Sequence, residues 1–167
     1  GAVFGNQKPP LTENMPKSPI SPYGSSKLTI ETYAETFSKV FNLKATVLRF
    51  SNAYGRYSQH KNSAVSKFIK LANLGKELTI KGDGNHTRDF IHVNDIVDAI
   101  FLSFKDKDSF SVYHVSTGIE TSLKQLIRIF KDSYKKFNIT LNIKNIDERI
   151  GDMKKNYSSA LKIKKNL

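Results

Sequence analysis

Cysteine is absent from the 167-residue sequence. Without it the chain forms no disulfide, no thiolate metal site and no cysteine nucleophile, and we interpret this composition as that of a cytoplasmic protein. Long apolar runs are absent too: none approaches the roughly 18 residues that a membrane-spanning helix needs, and the opening GAVFGNQKPP lacks a secretory pattern. The four histidines have no ligand spacing, so we expect no metal. We expect a globular domain of ordinary length without a membrane partner.

Acidic residues are scarce beside basic ones: 27 Lys and Arg stand against 15 Asp and Glu, a net charge of +12. From Ser122 onward 12 basic residues face 4 acidic ones, so +8 of the excess lies in the last 46 residues. Such a charge suggests nucleic acid or another polyanion as a partner. The lysines, however, are dispersed along amphipathic patterns without aromatic interleaving or zinc-finger spacing. We therefore expect a solvated surface and no nucleic-acid partner, with a basic nucleic-acid- or polyanion-binding domain as the alternative class.

Strand and helix patterns alternate along the chain, which indicates an α/β architecture. The opening GAVFG is typical of the end of a buried strand, and a loop that holds all five prolines follows it. Helices are predicted over residues 25–41, 63–75, 94–104 (with Asn94 as its N-cap) and 123–137 (capped by Thr121 or Ser122). Strands are predicted over residues 45–51, 88–93, 111–117 and 139–146, and a short one enters a turn within 78–85.

A glycine-rich phosphate-binding turn is missing. An α/β domain with a nucleotide site usually carries one between a strand and a helix, but neither G-x-G-x-x-G nor G-x-x-G-x-x-G occurs here. The stretch GDGNHTRDF has two glycines and opens onto a strand, so it is not a turn of that type.

Tyr23 and Lys27 lie four residues apart at the start of the first predicted helix, on one face of it. An ammonium group close to a phenol favours the phenolate and brings its reference pKa of about 10 toward the working pH, which suits a general base for an alcohol. The same pair is also compatible with a solvated first turn. The spacing alone does not choose between these interpretations.

The segments PISPYGSSK, LRFSNAYG, GDGNHTRDFIHVNDIVDAI and ERIGD follow one another in the sequence. As an ordered set they resemble the extended short-chain dehydrogenase/reductase family, the NAD-dependent nucleotide-sugar epimerases and dehydratases, whose archetype is UDP-glucose 4-epimerase. The resemblance implies the C-terminal part of a Rossmann-type parallel-sheet domain plus a smaller α/β nucleotide-sugar-binding domain. Residues 1–60 would form the last part of the NAD-binding domain, including the helix with Tyr23 and Lys27. Residues 61–167 would mainly bind substrate, with about 88–117 returning to the Rossmann-type domain.

The resemblance also implies roles for individual residues. Tyr23 matches the catalytic tyrosine, which exchanges a proton with a sugar hydroxyl, and Lys27 matches the lysine that binds the nicotinamide ribose and activates that tyrosine. Phe50 and Ser51 match positions that line the nicotinamide of NAD. Asn52 matches an asparagine near the diphosphate of the sugar nucleotide, although it could equally be a turn residue.

Further positions match the nucleotide-sugar site. Val65 and Lys81 match residues near the nucleotide, Arg88 and Arg149 match arginines on its phosphates, and Asp152 matches an aspartate on its ribose. Asn156 stands where epimerases restricted to plain hexoses carry a bulky tyrosine, and the resemblance implies that the smaller asparagine would admit an N-acetyl group. Taken singly, Arg88 could instead pair with Asp89 or Asp95 and Arg149 could be a surface charge. Asp95 and Asp98 are expected to be structural.

Departures from the family pattern bear on the reaction. The family's Ser or Thr would precede Gly1, as would its glycine-rich half, and the family continues past Leu167, so the resemblance implies the C-terminal part of a longer enzyme, inactive by itself. Gly1 and Ala2 stand where dehydratases carry an acid and a base, which favours a 4-epimerase of UDP-glucose/galactose or of their N-acetyl forms. A dehydratase, a ketoreductase and a non-catalytic nucleotide-sugar binder are alternatives. A homodimer through the Tyr23 helix is expected by resemblance.

Overall fold

Helices alternate with short strands in the computed structural model, which describes residues 1–147 and 154–167. The helices are Pro22–Phe41 (α1), Ala64–Asn73 (α2), Val93–Ser103 (α3), Leu123–Lys135 (α4) and Leu161–Asn166 (α5). The strands are Ala45–Phe50 (β1), Asn52–Tyr54 (β2), Leu78–Lys81 (β3), Thr87–Arg88 (β4), Phe90–His92 (β5), Phe110–Val115 (β6), Thr121–Ser122 (β7), Ile143–Ile146 (β8) and Lys155–Asn156 (β9).

Parallel pairing dominates the sheets. β1 pairs with β6, from Ala45 opposite Phe110 to Phe50 opposite Val115. β2 pairs with β5 and β3 with β8, both in parallel. β4 lies between the antiparallel β7 and the parallel β9. Parallel neighbours require crossover connections, and α2, α3 and α4 lie within those connections. This arrangement confirms the predicted α/β class.

Among the described residues, buried apolar side chains gather in three clusters. The largest joins α2, β3 and α4 (Val65, Phe68, Ala72, Leu78, Ile80, Leu126, Ile127, Phe130 and Leu141). A second lies between β5, α3 and β6 (Ile91, Ile96, Ala99 and Val115). The third is formed by Val3, Phe4 and Leu11. Met15 of the loop before α1 and Leu28 of α1 pack against it. The third cluster therefore supports the start of α1.

The first turn of α1 is fixed by its capping residues. The Ser21 hydroxyl accepts a hydrogen bond from the Gly24 amide (3.1 Å), and Pro22 occupies the first helical position, where no amide hydrogen is needed. Gly24 packs so closely on the chain before α1 that a Cβ there would collide with the Ala2 carbonyl oxygen. The buried positions of α1 are Gly24, Glu31 and Ser38, a stripe with a seven-residue period. This stripe orients α1 against β1.

Three local predictions were wrong. Residues 2–4 form a 3₁₀ turn instead of a strand end, because the Phe4 amide donates to the Gly1 carbonyl (3.0 Å). The strand predicted over 88–93 is split at Asp89 into β4 and β5, which pair with different partners. The cap of α3 is His92, whose Nδ1 accepts from the Asn94 amide (3.2 Å), so Asn94 is not the N-cap.

Candidate active site

Tyr23 and Lys27 are the second and sixth residues of α1. The Lys27 Nζ lies 5.3 Å from the centroid of the Tyr23 ring, within the distance of a cation–π contact. Tyr23 is 64% exposed, and both side chains line the same open cleft. The pair is thus in contact and accessible to a ligand.

The cleft has a volume of about 560 Å³. Six residues that the sequence predicts for the site lie around it: Tyr23, Lys27, Phe50, Ser51, Asn52 and Asn156. The end of β1, the start of β2, the first turns of α1 and β9 bring them together. Residues separated by more than 130 positions in the sequence therefore share one surface.

Asn52 is held by the backbone carbonyl of a buried residue, Asp89. The Asn52 amide nitrogen and its side-chain Nδ2 both donate to the Asp89 carbonyl, at 2.9 and 3.1 Å. Asp89 is 1% exposed, and its carboxylate accepts hydrogen bonds from the Thr117 amide and hydroxyl and from the Gly118 amide, at 2.8 to 3.0 Å. Asp89 therefore positions Asn52 from behind the cleft, a role that the sequence analysis missed.

Among the described residues, the predicted substrate residues Val65, Lys81 and Arg88 do not line this cleft. Val65 lies in the largest apolar cluster, Lys81 ends β3, and Arg88 ends β4 in register with Asn156. Arg88 also donates through NH1 to the Thr87 carbonyl (2.7 Å). Arg149 and Asp152 lie outside the described residues. The nucleotide-binding roles of these five residues stay predictions.

A buried ion pair that the sequence analysis did not identify closes the base of the cleft. Arg49 donates through Nε and NH2 to the two carboxylate oxygens of Glu31, at 2.8 and 2.7 Å. Both side chains are more than nine-tenths buried. The signal available in the sequence was an arginine inside the apolar strand ATVLRF together with a glutamate four residues after Lys27.

His114 extends this ion pair into the interior. Its Nε2 lies 3.2 Å from the Arg49 NH1, and its Nδ1 lies 3.2 Å from the Leu11 carbonyl oxygen. Because a guanidinium only donates and a carbonyl only accepts, we assign the neutral imidazole with the proton on Nδ1. Burial, opposed by the Glu13 carboxylate and reinforced by Arg49, lowers the pKa of His114 to about 4.

The donor set around the cleft fits the nicotinamide end of a dinucleotide. The Lys27 ammonium and the Ser51 hydroxyl are suited to ribose hydroxyls, and the Phe50 ring, 46% exposed at the end of β1, offers an apolar wall to a planar ring. Within residues 1–147 and 154–167, no group of three His, Asp or Glu side chains could hold a metal ion, and no helix is long and apolar enough to cross a membrane.

Comparison with known proteins identifies the class. Residues 1–116 match the family described as the NAD dependent epimerase/dehydratase family. The chain belongs to this family, as its motifs predicted. The relatives include both nucleotide-sugar 4-epimerases and dTDP-D-glucose 4,6-dehydratases, and several solved structures of the same fold hold NAD.

Three relatives illustrate the similarity. UDP-glucose 4-epimerase of Mycolicibacterium smegmatis is 33% identical over 129 residues, which are 75% of this chain and 41% of that protein. The UDP-N-acetylglucosamine 4-epimerase of Methanobrevibacter ruminantium M1, solved with UDP-N-acetylmuramic acid, is 31% identical with a TM-score of 0.89, covering 98% of this chain and 53% of its own. The UDP-glucose 4-epimerase of Thermotoga maritima, solved with UDP-glucose, is 33% identical with a TM-score of 0.87, covering 99% and 53%.

These comparisons confirm the Rossmann-type α/β fold. The chain spans about half the length of the solved structures and about 40% of the length of the curated relatives that it matches.

Proposed function

We propose that this chain contributes the tyrosine–lysine part of the active site of an NAD-dependent nucleotide-sugar 4-epimerase. The observation that carries the proposal is the Lys27 ammonium 5.3 Å from the Tyr23 ring, at a cleft that Phe50, Ser51 and Asn52 also line. The family and the 4-epimerases among its relatives support the assignment.

Tyr23 acts as the acid/base in this proposal. Its phenolate accepts the proton of the sugar 4-hydroxyl as the C4 hydride leaves. The tyrosine returns that proton after the 4-keto sugar has rotated within the cleft to present its other face. NAD, when bound, would supply the hydride acceptor and donor. Lys27 favours the phenolate through its charge and would donate to the cofactor's ribose, while Phe50 and Ser51 would line the nicotinamide.

The substrate in this proposal is a UDP-hexose. Asn52, fixed by two hydrogen bonds to the Asp89 carbonyl, faces the diphosphate region, and Asn156 on β9 forms the wall beside the sugar. A short amide at Asn156 admits an N-acetyl group. Arg88, adjacent to Asn156 in the small sheet, is assigned to the phosphates. Val65, Lys81, Arg149 and Asp152 keep their predicted nucleotide roles.

The domain assignment follows the same lines. Residues 1–60 and about 88–117 are assigned to the NAD-binding domain, and the remainder of 61–167 to the substrate-binding region. The separate apolar clusters of α2–β3–α4 and of β5–α3–β6 support this division. The glycine-rich cofactor turn that this chain lacks would come from a further segment, so we expect no turnover from residues 1–167 alone.

The choice of epimerase over dehydratase rests on Gly1 and Ala2. Both residues line the cleft beside Tyr23 and Lys27. Neither offers a carboxyl group for the proton transfers that eliminate water. A 4-epimerase needs no such group beyond the tyrosine, which is why it is the function that the described site supports best.

The proposal is tested with Tyr23→Phe in the complete gene product that carries this sequence. UDP-glucose, UDP-N-acetylglucosamine and dTDP-glucose are the substrates. Loss of the phenol should lower turnover at least about 100-fold, the scale of general acid–base catalysis, and leave UDP-sugar binding by calorimetry nearly unchanged.

Tyr33→Phe is the matched control, because Tyr33 is equally exposed on α1 (62%) but does not line the cleft. Retained turnover in Tyr23→Phe contradicts the proposal. A 4-keto-6-deoxy product from the unmodified enzyme would identify a dehydratase instead.

A further inference from the structure

Lys27 has a phenol and a carboxylate within helical reach on the same face of α1. Tyr23 lies four residues before it and Glu31 four residues after it, and both spacings bring side chains into reach. The Lys27 ammonium lies 5.3 Å from the Tyr23 ring. A carboxylate free to reach Lys27 would compete with the phenolate for this charge, so the partner of Glu31 matters for the site.

Glu31 is withheld from Lys27 by a bidentate ion pair. Both of its carboxylate oxygens accept hydrogen bonds from Arg49, at 2.8 and 2.7 Å. The side chains of Arg49 and Glu31 are 8% and 7% exposed, so water does not replace either partner. Charge-assisted, two-point pairing of this kind is among the strongest polar contacts in proteins.

Arg49 is itself anchored from the opposite side. Its NH1 donates to His114 Nε2 (3.2 Å), and His114 Nδ1 donates to the Leu11 carbonyl (3.2 Å). Among the described residues, the Glu13 carboxylate also faces this cluster and accepts a hydrogen bond from the His114 amide (2.8 Å). The neutral imidazole therefore presents a lone pair to the guanidinium and fixes its direction.

We propose that Arg49, anchored by His114, is a positioning residue that holds Glu31 away from Lys27 and so reserves the Lys27 charge for the Tyr23 phenolate. This inference rests on the proposed function of Tyr23. It assigns to a buried ion pair at the base of the cleft control over the pH range in which the tyrosine works.

The experiment compares Arg49→Met with the double variant Glu31→Gln/Arg49→Met in the complete gene product. In Arg49→Met the unpaired carboxylate turns to Lys27, and the acidic limb of the rate–pH profile moves up by about one pH unit, the scale of one close opposite charge. In the double variant no carboxylate competes, so the limb returns toward its original position. The same shift is measured without substrate from the absorbance of the Tyr23 phenolate as pH is raised. The contribution of Tyr23 is the difference between each protein and its counterpart that also carries Tyr23→Phe.

Two further variants make the result decisive. Arg49→Lys keeps the buried charge but loses the two-point pairing, so it gives a smaller shift in the same direction and provides the test if Arg49→Met does not fold. Lys39→Met is the control, because it removes the cation of an exposed ion pair with Glu35 on the same helix (2.7 Å) and should leave the limb in place.

A purely structural ion pair predicts loss of stability in both Arg49→Met and the double variant without movement of the limb. Folded Arg49 variants with an unmoved limb, or a double variant no different from the single one, overturn the inference. Failure of the proposed function is distinguishable, since an unmodified enzyme without turnover still yields the phenolate titration.

Discussion

His114 shows how a single residue ties the site to the stability of the fold. It is 1% exposed and neutral between Arg49 and the Leu11 carbonyl. Burial lowers its folded-state pKa to about 4, against 6.5 in the unfolded chain. As pH falls below 6.5 the unfolded state takes up the proton first, so stability is full above this pH and is lost toward pH 4.

The expected loss is measurable. Each pKa unit corresponds to about 1.36 kcal/mol, so the fall from 6.5 to about 4 amounts to roughly 3 kcal/mol of unfolding free energy between pH 7 and pH 4. His114→Asn should remove this component in urea unfolding measured across that range. His60→Asn, at an exposed histidine, should not. A pH dependence unchanged by His114→Asn would show that His114 is not neutral in the folded protein.

At the scale of the element, α1 owes its position to Gly24. A Cβ at this position would collide with the backbone oxygen of Ala2. The collision is costly because a backbone atom, unlike the end of a flexible side chain, cannot move aside easily. Overpacking of this kind costs roughly 1–3 kcal/mol, against the roughly 1 kcal/mol that alanine gains over glycine inside a helix. Gly24→Ala should therefore lower the unfolding free energy by about 1 kcal/mol.

Ser25→Ala is the control for this prediction, because Ser25 is the next residue of α1 and is exposed. Alanine there should be neutral or slightly stabilising in the same urea titration. If Gly24→Ala stabilised the protein as well, the close packing of α1 on the chain before it would be wrong.

The elements also show what the sequence could reveal. Helices α1, α2 and α4 were predicted within a few residues of their observed bounds. Each carries an apolar pattern of helical period or a capping signal, which in α4 is Ser122 with Gln125. The division of the predicted strand 88–93 into β4 and β5 at Asp89 could not be predicted, because it depends on hydrogen bonds that the distant Thr117 and Gly118 amides donate to the Asp89 carboxylate. The proximity of Tyr23 and Lys27 could be predicted because the two residues lie about one helical turn apart.

The Glu31–Arg49–His114 network was missed for a related reason. Its members lie on α1, β1 and β6, and only the parallel register of β1 with β6 places Arg49 directly opposite His114. No local period or spacing marks such a set. The local signs, an arginine in an apolar strand and a glutamate four residues after Lys27, do not show that these two residues pair.

On the scale of the whole molecule, α1 differs from an ordinary surface helix, because it buries small and polar residues and exposes large apolar ones. Its buried stripe is Gly24, Glu31 and Ser38, whereas Tyr33, Phe37, Val40 and Phe41 are 48% to 66% exposed. The Phe37 and Phe41 rings lie 5.2 Å apart on this outer face. Contiguous exposed apolar surface of this kind is typical of an interface. We propose a second copy of the protein as its partner.

We expect Phe37→Glu combined with Phe41→Glu to dissociate a dimer of the complete gene product. Burying two carboxylates at an interface centre should raise the dimer dissociation constant roughly 100-fold or more, as measured by sedimentation. Phe104→Glu is the control, since Phe104 is 80% exposed at the end of α3 and is not on α1. If the unmodified protein sediments as a monomer, the outer face of α1 is covered within one chain and the dimer is wrong. If it is a dimer that the double variant leaves intact, the interface lies elsewhere, and the apolar face of α1 needs a different partner.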